Sequence, residues 1–396
     1  MRFLLAALAL ALSGCSGGSG VASAPATPAA AVTLSGAAQL GAKIFSDASL
    51  SASGQQSCAS CHAPANAHGP VNDLSAQLGG PNGDVQGFRA APSLRYLNQT
   101  PAFFFDKDGT PTGGFDRDGR AQSLAQQGER PFLAPHEMAN ASKQDVVDRL
   151  KQTAYAEQFR AQFGAAILDD AEQAFNRMTL ALQAFQLEDP SFHPFDSKYD
   201  LFLAGKVKLA DAEMRGLALF NNPSKGNCIA CHSSARGADG SPPLFTDFTF
   251  DNLGLPRNAK LKATADPAYY DLGLCGPDRT DLAAGHPELC GAFKVPTLRN
   301  VATRKTFFHN GAFGNLTDVV GFYVRRDTNP EEWYPTGADG VVQKFNDLPA
   351  QYRGNVNTTE VPYNRKPGMA PALSPAEIDD VVKFLGTLTD GYQINP

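Results

Sequence analysis

The pattern of apolar and polar positions along the chain predicts helices separated by long irregular segments. Apolar residues recur at helical spacing in four stretches, and polar caps mark the start of two more helices. The predicted helices cover residues 38–45, 143–163, 169–187 and 212–220, and two further helices begin at Asn315 and Ser374. Runs of β-branched residues are short, and 37 glycines and 28 prolines punctuate the sequence. The sequence therefore predicts a mainly α protein with long irregular loops.

The first residues have the pattern of an export signal. Arg2 precedes an apolar run, residues 3–12, which is too short to span a bilayer. The segment ending at Cys15 resembles the lipobox of bacterial lipoproteins, in which the cysteine carries the lipid; the alternative is an ordinary signal peptide with an incidental cysteine. We predict a lipoprotein signal peptide over residues 1–14 and a flexible Gly/Ser/Ala/Pro-rich tether over residues 15–36. The protein is expected in the periplasm, held to a bacterial membrane, the outer one, by its lipid anchor alone.

Length and charge narrow the class of protein. A chain of 396 residues can hold two domains, each with its own core. The 34 basic and 40 acidic residues give a formal net charge of −6, and the sequence contains no basic run. Nucleic acid is therefore not expected as a partner.

Several short elements occur twice along the chain, in the same order. The predicted helices at 38–45 and 212–220 each lead into a C-x-x-C-H motif. Further along, APSLR at 91–95 corresponds to VPTLR at 295–299, and FDRDG at 115–119 corresponds to FFHNG at 307–311. Four elements in the same order indicate a gene duplication.

The C-x-x-C-H motif is the attachment signature of c-type haem. Its cysteines bind the two vinyl groups and its histidine becomes an axial ligand of the iron. The two motifs comprise Cys58, Cys61 and His62, and Cys228, Cys231 and His232. A redox disulfide does not need the histidine, and a zinc site needs further ligands that no other short Cys/His cluster supplies. We therefore predict two duplicated cytochrome c-like haem domains, an N-terminal one over residues 37–205 and a C-terminal one over residues 206–396.

Two further cysteines, Cys275 and Cys290, stand apart in a Gly/Pro/Asp-rich stretch. An exported protein favours a disulfide between them, and the alternative is two free buried thiols.

Across nearly all of the mature chain the sequence resembles the bacterial di-haem cytochrome c peroxidase and MauG family. Besides the two C-x-x-C-H motifs, the matching stretches are 118–121, 131–138, 296–300 and 309–311, with His309 at a cofactor-binding position. In that family the N-terminal haem reacts with peroxide, and the six-coordinate C-terminal haem stores or relays oxidising equivalents. The resemblance therefore implies that the domain over residues 37–205 is the peroxidatic one. The resemblance thus implies two covalently bound haem c groups and an enzyme that activates hydrogen peroxide.

The resemblance also implies which residues ligate iron. His62 and His232 are the proximal ligands. Peroxidases of the family place a methionine on the second haem fourteen residues after the position of His309, and MauG places a tyrosine there; in this chain the residue is Tyr323. Packing in the core is the alternative role for a tyrosine at helical spacing. We predict His232 and Tyr323 as the ligand pair of the second haem.

At the first haem, relatives close the distal face with a histidine. The corresponding stretch, residues 78–86, contains none, so an open or water-bound iron is expected. The resemblance places Glu137 at the acid–base position, with Gln127 and Pro131 completing the catalytic set. His68 is interpreted as a loop residue or a contact to a haem propionate, whereas the sequence leaves the role of His136 open.

The sequence departs from the family at two positions. Arg117 stands where relatives have a tryptophan that relays electrons between the haems, and the one tryptophan, Trp333, lies far along the chain. Ala90 stands where relatives bind calcium through an asparagine. Backbone carbonyls remain as calcium ligands, but we do not expect the ion.

Three functions follow from these features. The preferred one is MauG-like: peroxide reacts at the open haem, and the oxidising equivalents modify a partner protein. The first alternative is a cytochrome c peroxidase that takes electrons from a small periplasmic donor. The second is an electron-transfer cytochrome with two six-coordinate haems and no enzymatic activity.

Overall fold

The computed structural model describes residues 32–237 and 240–394. The predicted signal peptide, Cys15 of the predicted lipobox and most of the predicted tether lie outside the described residues. Within the described ranges, no helix is both long and apolar enough to cross a membrane.

The described chain is mainly helical, as predicted. Its helices are α1 (Gly36–Ser46), α2 (Cys58–Cys61), α3 (Leu124–Leu133), α4 (Lys143–Lys151), α5 (Ala156–Phe163), α6 (Ala171–Glu188), α7 (Lys198–Leu203), α8 (Asp211–Asn221), α9 (Leu316–Arg325) and α10 (Pro375–Gly386). Six two-residue strands form three antiparallel pairs: β1 (Leu78–Gly79) with β2 (Val85–Gln86), β3 (Phe104–Phe105) with β4 (Pro111–Thr112), and β5 (Phe250–Asp251) with β6 (Phe293–Lys294). Turns and short 3₁₀ segments connect these elements.

Local signals in the sequence set most helix ends. The Ser374 side chain accepts a hydrogen bond from the backbone N–H of Glu377 at the start of α10, and the Glu377 carboxylate accepts one from the Ser374 N–H. The predicted helix over 143–163 is wrong as a single element, because α4 and α5 are separated at residues 152–155. Tyr155 in this gap donates to Asp47 (Oη to Oδ2, 2.7 Å), a tertiary contact that joins the gap to the end of α1.

Two buried hydrophobic clusters support the helices. The first contains side chains of α1, α3, α4, α5 and α6, from Leu40 to Phe192. The second contains side chains of α7, α8, α9 and α10, from Tyr199 to Leu388. Phe45 at the end of α1 and Phe220 at the end of α8 are both buried, and each also lines a cavity. The predicted disulfide between Cys275 and Cys290 is present.

Each cluster is built on one close helix crossing. α1 meets α6 where Gly41 faces the backbone of Ala181, and α8 meets α10 where Gly216 faces the backbone of Asp380. A Cβ added at either glycine would lie 2.0 Å from the carbonyl oxygen of the facing residue. Only a residue without a side chain allows this approach.

Substitution of either crossing glycine by alanine is expected to destabilise the protein. G41A and G216A each force two helix backbones apart, and overpacking of this kind costs about 1–3 kcal/mol. The matched control is G386A on α10, where nothing lies within 4 Å of the added Cβ. That substitution is expected to be neutral or stabilising by up to ~1 kcal/mol. Urea unfolding of the three variants measures the difference; equal stabilities would contradict it.

A second local structure also occurs twice. Phe115 pairs with Ala121 across a tight loop, and Phe307 pairs with Phe313 in the same antiparallel manner. The residue after each phenylalanine has a positive φ, 64° at Asp116 and 64° at Phe308. In each half the helix that follows begins with a polar cap, Ser123 before α3 and Asn315 before α9.

Candidate haem sites

The first cavity has a volume of about 190 Å³ and brings together the residues predicted for the N-terminal site. Cys58 and Cys61 of α2 lie on one side of it with His62, and α3 and the loop after it lie on another. Its lining includes Cys58, Cys61, His62, Gln127, Pro131, His136 and Glu137. Leu78 of the β1–β2 hairpin lies at its edge.

The second cavity has a volume of about 300 Å³, within the usual range for cofactor pockets. Its lining includes Cys228, Cys231, His232, His309 and Tyr323, which are the residues predicted for the C-terminal site. Gln127 and Arg117 line both cavities. The two cavities are therefore neighbours, separated in part by these two side chains.

The histidines of the two motifs are held in the same way. His62 Nδ1 lies 3.0 Å from the carbonyl oxygen of Pro92, and His232 Nδ1 lies 2.8 Å from that of Phe245. Because a carbonyl only accepts hydrogen bonds, Nδ1 carries the proton in both rings and Nε2 keeps its lone pair. Burial lowers the pKa of both imidazoles, that of His62 to about 4, and so keeps them neutral. This is the arrangement of a metal-ligating histidine.

The four cysteines of the motifs are free thiols in protonated form. Burial raises the pKa of Cys58, Cys228 and Cys231 to about 12 and that of Cys61 to about 11. A reactive redox pair needs a depressed thiol pKa, so these surroundings do not support the redox-disulfide alternative. Among residues 32–237 and 240–394, no group of three or more His, Cys, Asp or Glu is placed to hold a metal ion.

Glu137 faces the first cavity from the loop after α3. Its carboxylate has no hydrogen-bond partner among the described residues, and the nearest charged contact is His136 Nε2 at 3.6 Å. Burial raises the pKa of Glu137 to about 7, although Arg130 lowers it in part. A carboxyl group with this pKa exchanges protons readily near neutral pH. The ring of His136 lines the same cavity and packs against Phe88. The structure therefore places His136, whose role the sequence left open, at the first site.

Tyr323 projects into the second cavity from α9. Its hydroxyl makes no hydrogen bond within the described part of the chain, and its ring lies 6.1 Å from the ring of Tyr363. Burial, reinforced by Asp251, raises the pKa of Tyr323, so the phenol keeps its proton unless a cation binds to the oxygen. Tyr323 is half-buried, and a phenol that faces a cavity without a protein partner fits a ligand position better than a packing position.

Pro131 and Tyr323 occupy equivalent places. Each is the eighth residue of a ten-residue helix with a polar N-cap, α3 for Pro131 and α9 for Tyr323. Each side chain lines the cavity beside its helix. At this position the first cavity is lined by the ring of Pro131, which has no ligand atom, and the second is lined by the phenol of Tyr323. Gln127, one turn before Pro131, lies 3.4 Å from Asp116 (Nε2 to Oδ1).

His309 and His68 play different parts from the motif histidines. The ring of His309 stacks on Phe293, with 3.6 Å between centroids, and its Nε2 is buried without a hydrogen bond, 3.8 Å from Asp347 Oδ2. It lines the second cavity, in keeping with a cofactor contact. His68 instead stacks on Phe192 in the first cluster and bonds Ser191 through Nε2 at 2.9 Å. It lies in a turn, as one of its two interpretations expected, and lines neither cavity.

The two departures from the family pattern are in direct contact. Arg117 donates from Nε and Nη2 to the carbonyl oxygen of Ala90, at 2.9 and 2.8 Å. Trp333 lies far from this pair, packed against Phe313 and Phe322 in the second cluster. An arginine fork therefore occupies the carbonyl at the position where calcium was considered.

Sequence reasoning missed the backbone carbonyls that orient the histidines and two cations of the second cavity, Lys294 and Arg304. Every residue carries a carbonyl, so only the repeated Pro-(Ser/Thr)-Leu-Arg element pointed to Pro92. Lys294 and Arg304 lie outside every repeated motif. Nothing in their local sequence marks them as cavity residues.

The residues present fit covalently bound haem in both cavities. Each cavity has two free thiols adjacent to a neutral histidine with a free Nε2, and the second also has an unpartnered phenol. A fold of helices around two such sites defines the chain as a c-type cytochrome with two haems.

Comparisons with known proteins agree. The family model described as di-haem cytochrome c peroxidase matches residues 35–208. The methylamine utilization protein MauG of Paracoccus denitrificans is 36% identical over 367 residues, 89% of this chain and 88% of that protein. The cytochrome c551 peroxidase of Nitrosomonas europaea is 29% identical over 319 residues, 78% of this chain and 79% of that protein. The crystal structure of the diheme peroxidase BthA from Burkholderia thailandensis is similar with a TM-score of 0.83 and 39% identity, covering 91% of this chain and 87% of that one.

The chain belongs to the bacterial di-haem cytochrome c peroxidase and MauG family and is a haem oxidoreductase. The identification from sequence is confirmed.

Proposed function

We propose that the protein activates hydrogen peroxide at the first haem site and stores or relays the oxidising equivalents at the second, in a MauG-like reaction that ends on a partner protein. The observation that carries this proposal is the chemical difference between the residues at two structurally equivalent positions, one on α3 and one on α9. Pro131 offers no ligand atom to the first cavity, whereas Tyr323 offers a phenol to the second. One open site and one closed site are what an oxidising enzyme needs and an electron carrier does not.

The proposal includes two duplicated haem domains, over residues 37–205 and 206–396. The paired glycine crossings of α1 with α6 and of α8 with α10 support it. The paired loops after Phe115 and Phe307, with the same backbone turn, support it independently. A duplicated unit explains why two sites with the same attachment chemistry differ in their distal residues.

Each residue of the C-x-x-C-H motifs has a defined role in this proposal. The cysteine pairs Cys58/Cys61 and Cys228/Cys231 hold the haems through thioether bonds, and His62 and His232 bind iron through Nε2. Tyr323 is the second protein ligand of the C-terminal iron. Haem iron with a free axial position supplies peroxide binding and electron transfer. The residues of the chain supply attachment, orientation and proton movement.

Glu137 is the group that moves the proton. Its carboxylate takes a proton from one oxygen of hydrogen peroxide and returns it to the other, which leaves as water. A pKa of about 7 lets the same group act as base and then as acid. Pro131 keeps competing protein ligands from the distal side, and Gln127 is placed on the same helix face to orient the bound peroxide.

We further propose that the protein works in the periplasm, tethered to the outer membrane through lipid on Cys15. Partners are then hydrogen peroxide and a periplasmic protein, either a substrate or an electron donor. We propose no calcium site.

The test is addition of hydrogen peroxide to the fully oxidised protein, followed by EPR and near-infrared absorption. Joint loss of one high-spin and one low-spin Fe(III) signal is expected. A reaction that requires prior one-electron reduction would favour the cytochrome c peroxidase alternative. Two low-spin signals that do not respond would contradict both enzymatic functions and leave an electron carrier.

Removal of one cysteine pair is expected to remove one haem. Replacing Cys58 and Cys61 by serine, or Cys228 and Cys231, eliminates both thioether bonds of one site and leaves the other intact. Mass spectrometry of the denatured mature protein counts the haems that remain. In the matched control, Cys275 and Cys290 are replaced, which opens the disulfide and leaves two haems. Two haems in either motif variant would contradict the attachment sites.

A further inference from the structure

The loop that the disulfide closes, between Cys275 and Cys290, reaches from the C-terminal half of the chain to the first cavity. Asp278, three residues into this loop, lines that cavity. The next residue, Arg279, donates from Nη1 to the carbonyl oxygen of Asp118 at 3.0 Å. The loop is therefore fixed on both sides of Asp278, by the disulfide before it and by this contact with the N-terminal half after it.

Asp278 contacts two arginines of the N-terminal half. Arg130 of α3 donates from Nη2 to Asp278 Oδ1 at 2.8 Å, and its Nη1 lies 2.7 Å from Oδ2. Arg120 Nη1 lies 3.3 Å from the same Oδ2. Two-pronged contact with a carboxylate fixes the orientation of a guanidinium as well as its position. Among the described residues, Asp278 supplies the only carboxylate within 4.0 Å of Arg130.

Arg130 and Glu137 are close neighbours at the end of α3. The chain turns back after this helix, because the N–H of Met138 donates to the carbonyl oxygen of Pro131 at 3.0 Å. Arg130 and Glu137 consequently line the same cavity. They nevertheless form no ion pair, since in the part of the chain that the structure describes the one possible cation within 4.0 Å of Glu137 is His136.

The charged groups around Glu137 act in opposite directions. The titratable side chains that face it are His136, Arg130, Arg120, Asp116 and Asp278. Burial raises the pKa of Glu137; the two arginines lower it and the two aspartates raise it. Two further arginines line the cavity but are bound elsewhere, Arg89 to Asp118 and Arg117 to the Ala90 carbonyl. The charge on Glu137 therefore depends on where Arg130 is held.

We propose that Asp278 is a positioning residue for the reaction with peroxide: it binds the Arg130 guanidinium and so keeps that cation from pairing with the Glu137 carboxylate. The inference rests on the proposed function, in which Glu137 moves the proton. An unpaired carboxylate is free to accept a proton from hydrogen peroxide, whereas one paired with an arginine is a weaker base. Because Asp278 belongs to the C-terminal half, both halves of the chain then contribute to proton movement at the first site.

Removal of either partner of the Asp278–Arg130 pair is expected to move the pKa of Glu137, in opposite directions. Loss of the Asp278 charge removes a group that raises this pKa and frees Arg130 to approach the carboxylate, so the pKa falls. Loss of the Arg130 charge removes a group that lowers it, so the pKa rises. A cation that comes into contact with a carboxylate lowers its pKa by about 1–3.

The experiment follows the reaction of the fully oxidised holoprotein with hydrogen peroxide by stopped-flow absorption, as a function of pH, in D278N and R130Q. Relative to the native protein, the midpoint of the pH profile should fall by about 1–3 pH units in D278N, with a slower rate above it, and should rise in R130Q. The matched control is D281N. Asp281 lies in the same loop and contacts Arg279 at 2.9 Å, but it is exposed and lines neither cavity. Its profile should equal that of the native protein.

An unchanged midpoint in D278N would overturn the inference. Shifts in the same direction in D278N and R130Q would also overturn it, because a general loosening of the site would then be the cause. If D278N does not yield folded holoprotein, R130Q decides alone: a raised midpoint supports the inference and an unchanged one overturns it.

Measurement of E137Q under the same conditions separates this failure from that of the proposed function. Native rate and pH profile in E137Q would contradict the proton-moving role of Glu137 in the proposed function, and the inference with it. A slow E137Q together with an unchanged midpoint in D278N would contradict only the role of Asp278.

Discussion

Replacement of Glu137 by glutamine is expected to slow the reaction with hydrogen peroxide by about 10²–10⁴-fold, the usual contribution of a positioned acid–base group. Glutamine keeps the size of the side chain and removes its ability to take a proton. The rate of the native protein is expected to rise with pH through about 7, because the base is the deprotonated carboxylate and burial holds the pKa of Glu137 there. E137Q should lose this pH dependence.

Stopped-flow absorption of the haem after mixing with peroxide measures both effects. The matched control is E129Q, since Glu129 is also an acid of the α3 region but lines neither cavity and lies 3.9 Å from Lys143. Its rate should equal that of the native protein. A variant at Glu137 that reacts at the native rate, with the native pH profile, would show that the proton moves through another group, and His136 at 3.6 Å would be the next candidate.

Replacement of Tyr323 by phenylalanine is expected to open the second iron. The ring still fills its place on α9, but the hydroxyl that faces the cavity is gone. The low-spin EPR signal of the second haem should give way to a high-spin or water-bound one. Its reduction potential should rise, since an anionic ligand stabilises Fe(III) and axial ligands set haem potentials over a range of about 0.8 V.

The matched control is Y363F, which removes the hydroxyl of the neighbouring tyrosine in the same cavity. It should leave both the EPR signal and the potential unchanged. If Y323F keeps the native low-spin signal while Y363F loses it, Tyr363 is the ligand. The spacing of fourteen residues from His309 would then have identified the wrong tyrosine. If neither changes it, the second ligand is not a tyrosine.

The local motifs predicted residues that the structure places together at the two cavities, because the motif residues are adjacent in sequence. Cys58, Cys61 and His62 are close in space whatever the rest of the chain does, and so are their counterparts around His232. The cap signals at Asn315 and Ser374 were equally sufficient, since a cap bonds backbone groups within three residues.

Contacts between residues that are distant in sequence could not be predicted from the periodicity of apolar positions. The break between α4 and α5 coincides with a hydrogen bond from Tyr155 to Asp47, which is distant in sequence. The distal role proposed for Glu137 came from the family resemblance, since a glutamate in a loop is ordinarily solvated. Arg117 was recognised as a departure, but its contact with the Ala90 carbonyl was not, because backbone acceptors carry no sequence signal.

The two glycine crossings also set an order of events during synthesis. Every helix of the first cluster lies within residues 36–188, so α1 finds α6 while the remainder of the chain is still being made. α8 must wait for α10, whose Asp380 faces Gly216 from far along the chain. Since domains generally fold in the order of their synthesis, the N-terminal core closes first. The core that supports the proposed peroxide site is thus formed before the core that carries Tyr323.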